Sequence, residues 1–151
     1  MNNSNQFAIK HKVGIKASEQ TIYNALTTNE GLAAWWTDDV SGAGEVGSTI
    51  AFRFNGGGPD FKVQSLTENR QVVWSHEESM PDAWNGTEIV FDIEPSAEQC
   101  FVHFQHRNWK SDDGFFAHCN TKWAVFLLSL KDYLETGAGK PFPNDIQIDH
   151  S

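Results

Sequence analysis

AHCNTKWAVFLLSLKDYLET, residues 117–136, places apolar side chains at Cys119, Trp123, Phe126, Leu127, Leu130 and Leu134. That is the three-and-four spacing of one face of a helix. Gly137 follows, where a left-handed residue closes a helix, and Gly139, Pro141 and Pro143 forbid its continuation. A helix of that length spans roughly 30 Å, about the width of a small domain. So long an apolar face needs a broad partner surface, and the chain before it reads mostly as strands.

Phe7, Ile9, His11, Val13 and Ile15 alternate with smaller or charged residues, the pattern of a strand with one wet face. Ser18 is the expected N-cap of a short helix whose inner face is Ile22, Ala25 and Leu26. Residues 29–36 predict a second short helix carrying Trp35 and Trp36. Helical neighbours point about 100° apart, so the two rings serve different surfaces, one the core and the other a rim or pocket. A glycine-punctuated connection is expected over 40–47. Strands are then expected at 48–55, 61–67, 71–77, 87–94 and 99–107, separated by turn-forming residues. Trp84 falls in one loop, and Trp109 in another expected over 109–116. On the strand over 99–107, Val102 and Phe104 suit one face and Phe101 the other, so its inner face stays open.

The order is strand, two short helices, five strands and a long helix. It predicts a single α+β domain in which a curved six-stranded antiparallel sheet wraps one long C-terminal helix. The chain of 151 residues suits one domain, with residues 1–5 and 144–151 expected as loose tails. A twisted sheet closing on a helix leaves a natural cavity between them.

Composition narrows the function. A net charge of −9 with only Arg53, Arg70 and Arg107 as arginines excludes a phosphate-binding patch and disfavours nucleic acid and anionic membranes. Cys100 and Cys119 are too few and too far apart for a disulfide framework or zinc site. The N-terminus carries no apolar signal region, so a cytoplasmic location is the expectation. Gly42, Gly44 and Gly47 match a dinucleotide fingerprint, but a strand follows where that motif needs a helix. No cofactor is expected.

Of the histidines, His103 and His106 point to opposite faces of one strand and cannot share an ion, and no metal is expected. His76 and His106 come together only if their strands are near neighbours, with Glu78 as a third group. Glu45, Glu88, Asp92, His76 and His118 are the candidates for acid–base chemistry, yet no nucleophile elbow or triad accompanies them. The surplus is aromatic, with 11 Phe and 6 Trp. Trp36, Phe52, Phe54, Trp74, Phe91, Phe104, Trp123 and Leu127 are expected on the concave side as ligand-binding wall, with Trp84 and Trp109 at the rim. Arg53, His76 and His106 would orient a ligand if they point inward. The competing reading makes all of them ordinary packing with no open cavity.

Three stretches carry a resemblance. Residues 26–37, LTTNEGLAAWWT, the glycine entry GSTIAF at 47–52, and Trp123 followed by spaced leucines and Leu134-Glu135-Thr136-Gly137 are similar to the START-like (SRPBCC) superfamily. Within it they resemble the branch named for homology to the activator of Hsp90 ATPase. The resemblance implies a helix-grip fold and apolar ligands, such as lipids, sterols or polyketides, held under the long helix. The main expectation is therefore binding of a small apolar molecule. The alternatives are an interaction module of Hsp90 co-chaperone type and a cyclase- or hydrolase-like enzyme using a pocket carboxylate or His. A homodimer or a chaperone partner fits the same resemblance.

Overall fold

A computed structural model describes residues 6–149. In chain order these form β1 (Phe7–Ile15), α1 (Glu19–Thr27), α2 (Asn29–Trp35), β2 (Asp39–Ser41), β3 (Thr49–Arg53), β4 (Asp60–Thr67) and β5 (Gln71–His76). A 3-10 turn (Asp82–Trp84), β6 (Glu88–Pro95), β7 (Cys100–Trp109) and α3 (Gly114–Thr136) follow. The strands build one sheet in the order β1-β7-β6-β5-β4-β3-β2, with every neighbouring pair antiparallel. The fold is the α+β helix-grip, with α3 laid across the concave face. The sheet holds seven strands, not six. The extra one, β2, overlaps the start of the expected connection, and in it Val40 pairs with Phe52 and Asp39 with Arg53. Three residues are too short to show an alternating pattern.

Helix α3 begins earlier than its apolar face suggests. The Asp113 carboxylate accepts from the backbone N–H of Phe115 at 3.1 Å and of Phe116 at 3.4 Å, satisfying donors that a helix start leaves open. At the other end Gly137 adopts φ 89° and its N–H reaches Tyr133 O. Cys119, Trp123, Phe126, Leu127 and Leu130 are buried along the face toward the sheet. Each large apolar side chain buried there contributes about 1.5–3 kcal/mol.

Strand β7 also runs further than its sequence pattern, through Trp109. That residue pairs with Phe7 and is 2 % exposed, stacked edge-on to Phe116 at 5.1 Å. It is core, not rim. The inner face of β7 is Cys100, Val102, Phe104 and His106. Phe101 lies on the outer face beneath the Lys12 ammonium, 4.4 Å from its ring centre.

The paired tryptophans divide the work. Trp35 is fully buried, and its indole N–H donates to Ala25 O at 3.0 Å, tying α2 to α1. Trp36 stacks on Trp35 at 6.0 Å, with planes 15° apart, and carries the contact on to Phe52 at 4.2 Å and Trp123 at 4.9 Å.

Beyond α3 the chain doubles back along the helix. Lys140 N donates to Ser129 Oγ at 2.7 Å, Phe142 N to Trp36 O at 2.7 Å, and Lys122 pairs with the buried Asp145. His118 meets Asp149 at 3.4 Å. The segment was expected to be loose from residue 144 because it is polar. Over 144–149 the structure instead shows it tied to α3, while the expected tails at 1–5 and 150–151 lie outside the described residues.

Gly31 lets α2 touch α1, for a Cβ there would sit 2.6 Å from Ala25 Cα and 2.8 Å from Ala25 O. Both are backbone atoms and cannot swing aside. Gly31→Ala should therefore destabilise the protein by about 1–3 kcal/mol despite alanine's better helix propensity. Urea unfolding checks this, and an unchanged or raised midpoint would show that the two helices can part freely.

Candidate functional site

A pocket of about 610 Å³ opens between the N-terminal half of α3, the loops after β3 and β5, and the returning C-terminal segment. Its walls are mainly aromatic: Trp36 from the end of α2, Phe54 after β3, Trp84 from the 3-10 turn, Trp123 and Phe126 from α3, and Phe142. Trp84 and Trp123 stack at 6.2 Å with planes 22° apart, and Phe54 meets Phe142 edge-on at 5.2 Å. Pro59, Met80 and Pro81 line the loop side, and the exposed Met80 and Phe115 stand at the mouth. The polar lining is Asn55, His118, Lys122, Asp145 and Gln147. All but Asn55 belong to α3 or to the segment folded back on it, so the pocket has an apolar side and a polar side.

Of the residues expected to bind a ligand, Trp36, Phe54 and Trp123 line this pocket. Phe52, Trp74, Phe91, Phe104 and Leu127 do not. All five are at most 1 % exposed and pack behind the wall, where α3 meets the centre of the sheet. No cavity opens there because those rings fill it: Trp74 lies 5.2 Å from Phe91, and Phe104 lies 4.6 Å from Trp123. Arg53 is also outside, its guanidinium bonded to Asp60 at 2.8 Å and to Phe52 O at 3.0 Å. His76 is buried at the end of β5, against Phe61 at 5.2 Å, with Nε2 near Ser79 Oγ and Met80 O. Burial lowers its pKa.

His106 does not face the pocket either, yet it sets the wall. The Trp123 indole can only donate, and its N–H reaches His106 Nδ1 at 3.1 Å. Nδ1 is therefore the acceptor and Nε2 carries the proton, which it gives to Thr87 Oγ1 at 2.9 Å. Thr87 passes its own proton to Trp84 O at 2.6 Å. One neutral imidazole thus ties a ring of α3 to the backbone of the loop bearing the opposite ring. Burial, followed by the charge of His76, pushes the His106 pKa down to about 3. A proton on Nδ1 would face the indole N–H donor directly.

Lys122, Asp145, Phe142 and Gln147 are among the lining residues that carry no expectation of a role from the sequence, as are Phe115, Phe126 and Met80. Phe115, His118, Cys119, Lys122, Trp123 and Phe126 form one stripe at three-and-four spacing, so the α3 part was readable by extending the apolar face toward its start. Among the acid–base candidates, only His118 lines the pocket. Cys119 is no nucleophile near neutrality, since burial raises its thiol to about 11. Among the described residues no group of three or more His, Cys, Asp or Glu could hold a metal ion. No helix among the described residues is long and apolar enough to cross a membrane.

The neutral His106 makes folding pH-dependent. The unfolded chain takes up a proton near pH 6.5 that the folded chain refuses until about pH 3. Stability is thus complete above the unfolded value and is lost as pH falls through this window. The loss should reach about 2 kcal/mol between about pH 7 and about pH 5. His106→Gln, which keeps one donor and one acceptor, should flatten that slope by about one proton in urea melts at several pH values; parallel slopes would refute the assignment.

Comparisons with known proteins agree with this architecture. The solution structure of the Aha1 dimer from Colwellia psychrerythraea superposes with a TM-score of 0.82 at 62 % identity, covering 88 % of this chain and 99 % of that one. Crystal structures of proteins from Staphylococcus saprophyticus and Mesorhizobium loti share the fold at 20 % and 15 % identity. Their TM-scores are 0.74 and 0.76, with 88 % and 85 % of this chain and 95 % and 96 % of theirs covered. No curated protein matches the chain at a significant level. The model for the activator of Hsp90 ATPase homolog 1-like protein matches residues 16–135, and the chain belongs to that family.

Proposed function

We propose that this protein binds a small, largely apolar molecule in the pocket beneath the N-terminal half of α3. The observation that carries the reading is the wall itself: Trp36, Trp84 and Trp123 converge with Phe54, Phe126 and Phe142 on one open space of about 610 Å³. A pocket of that size suits a drug-sized ligand, and flat rings desolvate an apolar body with little loss of side-chain entropy. Binding would be driven by burial of the ligand's apolar surface, at about 25 cal/mol per Å² before the cost of association. The family and fold support a ligand-binding domain in general terms.

A second reading rests on the family's description and on the exposed apolar residues near the mouth. Met80 at 62 %, Phe115 at 40 % and Ile146 at 57 % exposure could seat a protein partner such as an Hsp90 homologue. The Colwellia protein's description as a dimer favours a second copy as another partner. Pull-down with the cell's Hsp90 homologue and size-exclusion chromatography separate these from the ligand reading.

Native mass spectrometry of freshly purified protein should show an added mass that disappears on denaturation, and a panel of lipophiles should change the tryptophan fluorescence. Gly57 offers a block. A Cβ there meets only Met80 Cε at 3.6 Å, so Gly57→Leu should fill the mouth and weaken binding at least tenfold without a matching loss of stability. An unliganded mass together with a silent panel would refute the pocket reading.

A further inference from the structure

The polar side of the pocket holds one pair of opposite charges, and the two are not equally available. The Asp145 side chain is 1 % exposed and that of Lys122 is 22 % exposed. The Lys122 ammonium lies 5.4 Å from the centre of the Phe126 ring, itself a wall of the pocket. It donates to Ile146 O at 2.8 Å and pairs with Asp145, which leaves it a third N–H. One turn earlier on the same face, His118 also lines the pocket, with its Nδ1 turned to Asp149 and its Nε2 as the second ring nitrogen. The Nδ1–H of His118 given to Asp149 leaves Nε2 an acceptor in the neutral ring, so the charged donor on this side is the Lys122 ammonium, and the carboxylate that balances it is the more deeply buried of the pair.

From this arrangement the geometry points to an amphipathic acid as the ligand class: an apolar, ring-bearing body against Trp36, Trp84 and Trp123, and a carboxylate or similar anionic head on Lys122. The inference rests on the pocket reading above. Asp145 acts as a positioning residue, holding the ammonium against the helix and competing with the ligand's head for it. The protein's net charge of −9 does not exclude an anion, because charges more than a Debye length of about 8 Å away are largely screened in physiological salt. A charge-assisted hydrogen bond from the mostly buried Lys122 ammonium acts at contact distance, against that screened repulsion.

Calorimetric titration of the full chain with three probes of one shape tests this: naphthaleneacetate, naphthaleneacetamide and naphthylethylamine. The acid should bind at least tenfold tighter than the amide, and the amine weakest. Asp145→Asn, which frees Lys122 and keeps the side-chain shape, should tighten the acid several-fold and leave the amide unchanged. The double variant Lys122→Met with Asp145→Asn avoids stranding a buried charge and should bring acid and amide within twofold of each other. Equal binding of acid and amide by the wild type, tightest binding by the amine, or an acid preference surviving in the double variant would overturn the inference while leaving the pocket reading intact. Heat from none of the three probes would overturn the inference as well, while the native mass and the lipophile panel decide the pocket reading separately.

Discussion

The hydrogen-bonded chain from Trp123 through His106 and Thr87 to the carbonyl of Trp84 is the constraint on which the pocket depends. Its members come from α3, β7 and the short stretch that joins the 3-10 turn to β6, three parts separated in the sequence. Apolar packing alone would hold these parts together without fixing their rotation, because dispersion and burial are nearly indifferent to direction. A chain of directional bonds fixes the Trp123 indole relative to the backbone that carries Trp84. It succeeds only while the imidazole is neutral, and burial ensures that.

Behind that chain the rest of the molecule divides into two kinds of aromatic packing. Around Trp74, Phe91 and Phe104 the rings meet one another closely and leave no space, and α3 is pressed onto the sheet. Toward the start of α3 the sheet and the helix diverge, and loops rather than strands supply the facing rings. The transition falls at Trp36 and Trp123. Each packs on the closed side, Trp36 against Trp74 at 6.3 Å and Trp123 against Phe104 at 4.6 Å, and each presents another side to the opening. The opening exists because the helix outruns the closely packed part of the sheet.

The difference between these regions explains what could be read from the sequence. The α3 face, the alternation of β1 and β6 and the N-cap at Ser18 are short-range patterns, and they identify the helix-grip architecture. Strand β2 and the extension of β7 to Trp109 are products of pairing across long sequence distances, and no local period announces them. The pocket was harder still. Apolar strand residues such as Phe52 and Phe91 look the same whether they line a cavity or fill a core, and here they fill it. Phe142, a wall residue that sequence patterns could not assign, lies in an irregular segment. Asp145 looked like part of a polar tail, since its tie to Lys122 depends on how the chain returns along the helix.

The place of β1 in the sheet has a consequence for how the chain acquires its structure. The other strands are arranged in sequence order, so each can pair with the one just made, and their hairpins close short loops. β1 pairs only with β7: Phe7 sits opposite Trp109, and Ile15 opposite Cys100. Joining them closes a loop of roughly a hundred residues, whose entropic cost must be met before any ladder bond forms. On the ribosome the first strand made is therefore the last to find its partner. It must wait, with its apolar Ile9 and Ile15 uncovered, until the meander from β3 to β7 has emerged.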